Sequence, residues 1–478
     1  MRYFHNISYM KIDRRTDPCR NDDWADIMKN SKLSDGQLAT KTGRFLTRLA
    51  DDFRISLADI RGMIGHFHRE MERGLAGEQS SLKMIPTFAS RPTGKEKGNF
   101  LTLDLGGTNL RVLEVALDGN RNAGISSADR FVIPPALMGG DGARLFDFIA
   151  DCLKKSLCKH DIDSRRSREL AFTFSFPVDQ TSLASGKLLG WTKGFTAAGV
   201  ENNDVAMLLA EALERKGMGC IRVAALTNDT AGTLAAGSYA DPACDMGVIL
   251  GTGTNACYPE KIPRIKKIPE EASFGGEMIV NMEWGNFDKV TANRYDKILD
   301  DASSKPGKQR LEKMVSGMYI GELARIIIVE MMAQGILFNG ANPSAFAIEY
   351  SLTAKQMAAT ALDGNLGGDF GLSDASAADR KIVREICRIV SRRAARLAGA
   401  AIAAVVSWMD VALTDHHVIA IDGSLFQKYP GFQESMQEVL CGLYGEQAAR
   451  ITIKPVHDGS GIGAAITAAV AVCAEIRK

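Results

Sequence analysis

Twice in this chain, a run of residues in strand-like alternation ends in a turn of glycines and hydroxyl-bearing side chains. The first is Leu105-Gly-Gly-Thr-Asn109 and the second is Leu250-Gly-Thr-Gly-Thr-Asn255. Glycines at a strand end let backbone N–H groups approach the oxygens of a phosphate, and the threonines add hydroxyl donors. Neither turn is a Walker loop, because no Gly-Lys-Ser/Thr follows at the required spacing. Each by itself could be an ordinary turn. Two of one design, far apart in the chain, suggest duplicated lobes that face one ligand.

The pattern around these turns alternates between the two regular periods. Phe100, Thr102 and Asp104 face one way and Leu101, Leu103 and Leu105 the other, and alternation resumes from Leu110 to Val115. That predicts a β-hairpin. Residues 170–176 predict a strand with Phe172, Phe174 and Phe176 on one face and Ser175 on the other. Residues 221–226, 246–250 and 418–421 read as further strands. Helical spacing predicts helices within 33–75, stopped by Gly74, then over 205–213 and 309–332. In the helix at 309–332, Leu311, Met314, Val315 and Met318 are expected to share a core-facing side. Residues 363–379, rich in Gly, Ser and Asp, predict a surface loop. The last helix is opened by Asp458-Gly-Ser-Gly461. Strands alternating with helices imply an α/β architecture, and 478 residues fit two or three domains.

Composition narrows the function classes. The chain carries 58 basic and 57 acidic side chains, a net charge of +1, so nothing electrostatic favours nucleic acid or an anionic membrane as a partner. Its nine cysteines are scattered without CxxC spacing, which is a poor disulfide framework and fits a reducing compartment. The histidines form no HExxH motif, so a zinc site is unsupported. Residues 1–22 lack the apolar segment of a signal peptide. The longest apolar stretch, residues 397–409, is short of the roughly 20 residues that span a bilayer. A soluble, cytoplasmic protein is expected.

The carboxylate to watch is Asp229, in Thr227-Asn-Asp-Thr230 at the carboxyl end of a strand, where open α/β sheets usually place function. A sugar hydroxyl is a poor nucleophile until a base accepts its proton, and a buried carboxylate can do that. The competing reading is that Asn228 or Asp229 only caps the following helix.

Taken in order, the motifs resemble those of the eukaryotic-type hexokinases. Gly98-Asn-Phe-Leu-Thr-Leu-Asp-Leu-Gly-Gly-Thr-Asn109 is similar to the family's first phosphate motif. Phe172-Thr-Phe-Ser-Phe-Pro177 and Trp191-Thr-Lys-Gly-Phe195 are similar to its sugar-binding strand and loop. Thr227-Asn-Asp-Thr230, Gly251-Thr-Gly-Thr-Asn-Ala-Cys-Tyr258, Glu283-Trp-Gly285, Glu312-Lys-Met-Val-Ser-Gly-Met-Tyr319, Asp422-Gly-Ser424 and Asp458-Gly-Ser-Gly461 follow in the family's order. The resemblance runs from about Leu57 to Ala471. Leu110 departs from it, standing where phenylalanine is common.

The resemblance implies a two-lobed actin-like ATPase (ribonuclease H-like) fold with a central cleft. Residues 96–226 would form a small lobe, joined by 460–478. Residues 1–95 and 227–459 would form the large one. It implies ATP-dependent phosphorylation of the 6-hydroxyl of glucose, with other hexoses left open, as the first step of glycolysis. Asp229 would be the base and Lys193 would stabilise the transferring phosphoryl group. Ser175, Phe176, Pro177, Thr192, Lys193, Asn228, Asn255, Glu283, Gln309 and Glu312 would meet the sugar. Gly106, Gly107, Thr108, Asn109, Gly251, Thr252 and Gly253 would hold phosphates, Gly423 and Ser424 would border the adenosine, and Asp104 would position Mg²⁺ through water. A homodimer stays open. A ring of hydroxyls calls for carboxylates and amides, since a missing hydroxyl leaves buried polar groups unpaired.

Other classes fit less well. Gly459-Ser-Gly-Ile-Gly-Ala464 matches a dinucleotide-binding pattern, but only 14 residues follow it, too few for the rest of the unit. An actin-like ATPase would not need Trp191-Thr-Lys-Gly-Phe195. A non-catalytic sugar sensor on the same fold would not need Asp229 and Lys193.

Overall fold

A computed structural model describes residues 41–107, 109–268, 276–338, 344–363 and 375–476. Thr108 therefore lies outside the described residues, as does most of the loop expected at 363–379. α-Helices of six residues or more are numbered here.

The described chain opens on α1 (Lys41–Asp52) and α2 (Leu57–Ala76). A capping box starts α2: the Ser56 side chain accepts from the Asp59 N–H, and the Asp59 carboxylate accepts from the Ser56 N–H. The helix stops at Gly77, at φ +79°, rather than at Gly74. Gly74 is instead a close-approach point, where a Cβ would come within 2.6 Å of the Met84 side chain.

There follow β1 (Ile85–Pro86), β2 (Lys97–Leu105), β3 (Asn109–Asp118), β4 (Ala123–Val132), α3 (Gly142–Lys159), β5 (Arg168–Phe174), β6 (Val178–Ser182), β7 (Ser185–Leu188), α4 (Val205–Arg215), β8 (Ile221–Thr227) and α5 (Asp229–Ala240). Next come β9 (Cys244–Leu250), β10 (Thr254–Lys261), β11 (Glu277–Asn281), α6 (Arg294–Ala302), α7 (Arg310–Val315), α8 (Gly317–Ala333) and α9 (Ala354–Asp363). The described chain closes with α10 (Ala377–Met409), β12 (His417–Asp422), α11 (Phe432–Tyr444), β13 (Ile451–Pro455) and α12 (Gly459–Ile476).

Two sheets carry the fold. One has the order β4-β3-β2-β5-β8 and the other β1-β11-β10-β9-β12-β13. In the first, β4, β3 and β2 form an antiparallel meander, and β5 and β8 add in parallel. In the second, β11, β10 and β9 form the same meander, and β12 and β13 add in parallel. The two glycine-rich turns are the β2–β3 and β9–β10 turns, at equivalent places in the two sheets. The echo in the sequence thus marks a repeated topology.

Between the sheets lie two helices made largely of small residues. α12 packs on β2, β5 and β8, and α5 packs on β9, β10 and β12. The helices also pack on each other, so the layers run sheet, α12, α5, sheet. Gly232 and Gly463 permit that crossing. A Cβ on Gly463 would fall onto the Gly232 carbonyl, well inside van der Waals contact. The outer face of the first sheet is covered by α3 and α4 over Leu103, Phe146, Phe172 and Leu209. The outer face of the second is covered by α2, α10 and their neighbours over Val248, Tyr258 and Val280. This is a two-lobed α/β architecture.

Two expectations change. Residues 309–332 are not one helix, because Ser316 takes an extended conformation and separates α7 from α8. The break is held by the second glycine-rich turn: the N–H of Gly317 donates to Gly251 O (2.8 Å) and that of Met318 to Thr252 O (3.1 Å). Met318 is turned outward as a result and is 51% exposed, while Leu311, Met314 and Val315 are buried as expected. At 363–379, the region is not loop throughout. A capping box of Ser376 and Asp379 starts α10 at Ala377. No helix among the described residues is long and apolar enough to cross a membrane.

Candidate active site

The polar pocket of the second sheet is built at the ends of β10 and β11. Asn255, on β10, donates from Nδ2 to Asn281 Oδ1 (2.8 Å) and to Glu283 Oε1 (3.2 Å). Asn281 closes the triangle, donating from Nδ2 to Glu283 Oε1 (2.9 Å). Glu312 comes from the first turn of α7. Its Oε2 accepts from the Thr254 N–H (3.1 Å) and its Oε1 from Gln309 Nε2 (2.9 Å). Burial raises the Glu312 carboxyl above the usual range and the Glu283 charge adds to this, while the Thr254 N–H and Lys193 oppose it. Gly253 and Gly285 make room for that carboxylate. A Cβ on Gly253 would sit 2.8 Å from Glu312 Oε2, and one on Gly285 3.1 Å from Glu312 Cβ. Trp284 braces the corner from below, its indole N–H donating to Thr254 Oγ1 (2.9 Å).

The first sheet contributes a loop. Ser175, Phe176 and Pro177 follow β5, and the Ser175 N–H donates to Leu105 O (3.2 Å), tying the strand end to the first glycine-rich turn. Trp191 stacks on Phe195 (ring centroids 5.1 Å apart) and meets Phe176 edge-on at 4.9 Å, which fixes the segment carrying Thr192 and Lys193. Lys193 Nζ donates to Ser175 O (2.7 Å) and lies 5.4 Å from the Phe176 ring centroid.

Asp229 begins α5, which is N-capped by the Asn228 side chain accepting from the Ala231 N–H (2.7 Å). Asn228 thus does cap the helix, and the cap sets Asp229 on the first helical turn. Thr230 Oγ1 donates to Asp229 Oδ1 (3.1 Å).

Asp104, near the end of β2, is buried, and its Oδ2 accepts from Ser460 Oγ at the start of α12 (2.8 Å). Burial pushes its carboxyl up. Arg111, the Ser460 hydroxyl and Lys193 oppose that, and the Asp229 charge reinforces it. Arg111, opposite Asp104 in the β2–β3 register, also pairs with Asp458 (3.0 Å), and its Nη2 is buried without a hydrogen-bond partner. Asp422, at the end of β12, is likewise raised by burial, with Asp458 and Asp229 adding to it and the N–H groups of Gly423 and Gly459 opposing. Asp229 therefore acts electrostatically on a carboxylate at a strand end of each sheet.

Around these groups lie the turns. Nothing falls within 4 Å of a Cβ placed on Gly106 or Gly107, so open space faces that turn. Asn109 Oδ1 accepts from Arg130 Nε (3.0 Å). In the second turn, the Gly251 N–H donates to Gly253 O (3.0 Å), with Thr252 between them. Gly423 lies against this turn at φ +129°, where a Cβ would overlap Leu250 O, and Ser424 begins the short helix that follows. The structure thus groups Asn255, Glu283, Gln309 and Glu312, and separately Ser175, Phe176, Thr192 and Lys193. The Lys193 charge is among those that oppose the upward shift of the Asp104 and Glu312 carboxyls.

Sequence reasoning missed Asn281, Arg111 and the site-facing role of Ser460. Asn281 stands two residues before Glu283, and Arg111 stands opposite Asp104 in the predicted hairpin, so period-two alternation carried a signal for both.

The hexokinase family models match residues 45–239 and 245–470. Hexokinase-7 of Oryza sativa subsp. japonica is 40% identical over 442 residues, covering 88% of this chain and 95% of the relative. Hexokinase-4, chloroplastic, of the same source is 42% identical, covering 84% of this chain and 83% of the relative. Among solved structures, a hexokinase from Schistosoma mansoni complexed with glucose superposes with a TM-score of 0.81 at 36% identity, covering 90% of this chain and all of the other. That match places the two sheets and the cleft in the actin-like ATPase fold. On the models and relatives together, the chain belongs to the hexokinase family.

Proposed function

We propose that the protein transfers the γ-phosphoryl group of ATP to the 6-hydroxyl of glucose, and of other hexoses that fit the same pocket. One observation carries this: Asn255 and Glu283 are hydrogen-bonded to each other, as are Gln309 and Glu312, beside the second glycine-rich turn, and Asp229 opens α5, the helix packed between the two sheets. A hydroxyl-rich ring suits Asn255, Glu283 and Glu312, with Ser175, Thr192, Asn228 and Gln309 beside them and Phe176 and Pro177 shaping the wall. The similar Schistosoma mansoni hexokinase holds glucose.

Asp229 accepts the proton of the sugar hydroxyl as its oxygen attacks. Lys193 meets the charge that spreads over the transferring group, where positioning and electrostatics dominate catalysis. The Gly106–Gly107 turn, Thr108, Asn109 and residues 251–253 present donors to the phosphates. Gly423 and Ser424 border the adenosine. Among the described residues, no three His, Cys, Asp or Glu gather into a metal cage. Mg²⁺ would keep phosphate and water ligands, with Asp104 positioning it through water, and would supply neutralising charge.

We further propose that the described residues of 96–226 with 460–478, and those of 1–95 with 227–459, move as two lobes. Closure would exclude water as a competing acceptor. A cytoplasmic location is supported by the free, buried Cys152, Cys244, Cys257 and Cys387. Cell fractionation tests it, and recovery with plastids would overturn it.

The test of function is ADP release, coupled to an indicator enzyme, across glucose, fructose, mannose and galactose. Asp229→Ala should keep the fold and bind glucose, yet lose about two to four orders of magnitude in turnover. Near-wild-type turnover in the purified variant would remove Asp229 as the base. Wild-type protein that binds glucose without turnover would leave a sensor instead.

A further inference from the structure

Among the side chains not yet given a role, Asn281 is built most tightly into the pocket. It is the last residue of β11 and is 5% exposed. Its orientation is set by a chain of hydrogen bonds that begins at a backbone group. The Ala256 N–H donates to Asn255 Oδ1 (2.8 Å), and a backbone N–H can only donate. The Asn255 amide therefore has one orientation, with Nδ2 turned toward Asn281 Oδ1 (2.8 Å) and Glu283 Oε1 (3.2 Å). That orientation fixes the next amide in turn, so Asn281 Nδ2 donates to Glu283 Oε1 (2.9 Å). The chain runs one way, from an obligate donor to a carboxylate.

Glu283 needs such a restraint. It lies just past the strand, at φ +55°, outside the ladder that holds its neighbours. Its Oε1 accepts from two amides, which occupies that oxygen's lone pairs.

We propose that Asn281 is a positioning residue for sugar recognition: it pins Glu283 Oε1 and so leaves Oε2 as the acceptor offered to a hexose hydroxyl. This rests on the reading that Asn255 and Glu283 meet the sugar. Only a side chain with an acceptor on one side and a donor on the other fits between Asn255 and Glu283. Aspartate has the first and not the second. At position 281 it would set two carboxylates face to face, a pair that tolerates one shared proton but not full ionisation.

The experiment compares wild type, Asn281→Asp and Asn281→Ala by steady-state kinetics with glucose at pH 6 and pH 8, with melting temperatures taken alongside. In Asn281→Asp, the KM ratio to wild type should be about tenfold or more at pH 8 and should fall toward one at pH 6, where a shared proton rebuilds the bridge. In Asn281→Ala, the ratio should be raised by a similar factor at both pH values, with kcat within about threefold of wild type. A purely structural role would lower the melting temperature and the active fraction without giving KM this pH dependence. Should Asn281→Asp fail to fold, the alanine variant decides. A folded Asn281→Ala with KM within twofold of wild type, or with its loss confined to kcat, overturns the proposal. Wild-type protein without hexose turnover would instead overturn the function on which it rests.

Discussion

Lys193, Glu283 and Gln309 share a left-handed backbone, with φ of 55°, 55° and 54°. Non-glycine residues pay for that conformation, and it persists where the surroundings over-determine it. The motifs located these residues, but no residue type in them announces the strain. Asp229 was legible as a strand-end carboxylate, whereas its electrostatic neighbours became visible only once strands distant in sequence were brought together.

Glu312 gives a prediction with a definite sign. Its raised carboxyl takes up a proton at higher pH than an ordinary glutamate, and a protonated carboxyl is a poorer acceptor for the Thr254 N–H and a sugar hydroxyl. Glucose KM should therefore rise as pH falls through a range above the usual glutamate value. Glu312→Gln should have KM raised by about tenfold or more at neutral pH, without that acid limb. A KM–pH series on both proteins checks it.

His417, buried at the start of β12, lies between Asp245 (2.7 Å from Nδ1) and Asp410 (3.5 Å from Nε2), and the hydrogen bond to Asp245 raises its pKa. A raised folded-state value means that its stabilisation is complete below the unfolded value of about 6.5 and is lost as pH rises through the folded one. His417→Gln should cost about 1–3 kcal/mol at pH 6, and the deficit should shrink toward pH 9 in thermal melts. His68, lowered by burial, acts in the opposite sense, so the comparison is with wild type at each pH.

At the scale of elements, the strand–helix order and the hairpin around the first turn were readable from period-two alternation. The α7–α8 break was not. Ser316 and Gly317 carry no proline signal, and the extended turn is imposed by carbonyls of Gly251 and Thr252, which no local pattern shows. Strand β4 escaped for a related reason. It is an edge strand, exposed on alternate residues, with little apolar alternation to find.

The small-residue crossing of α5 and α12 supports a direct test. Gly463→Ala would force the Gly232 carbonyl away, an overpacking that typically costs about 1–3 kcal/mol. Turnover should fall further than this stability loss accounts for, because α5 carries Asp229 on its first turn and α12 carries Ser460 against Asp104. Chemical denaturation and kcat on the same preparation separate the two effects. A variant with normal kcat would show that the crossing is not coupled to the site.

For the whole molecule, the proposed sugar contacts imply a balance between open and closed lobes. A hexose that bonds Ser175, Thr192 and Lys193 on one side and Asn255, Glu283 and Glu312 on the other binds the closed form better, so it must draw the population toward closure. Saturating glucose should reduce the radius of gyration in solution scattering and change Trp191 fluorescence, with the response weakened in Lys193→Ala. An unchanged scattering profile alongside normal turnover would mean that glucose does not drive the closure.

The layering also sets how far each reacting group travels. α5 and α12 lie where the lobes meet, so a rotation between the lobes has its pivot near their crossing. Displacement under rotation grows with distance from the axis. Asp229 is rooted on one of those helices, whereas Lys193 is carried on the Trp191 loop outside them. Under the proposed closure, the proposed base would stay with the crossing helices while the proposed cation is carried in by its loop, so a bound sugar would be aligned with its base before that charge arrives.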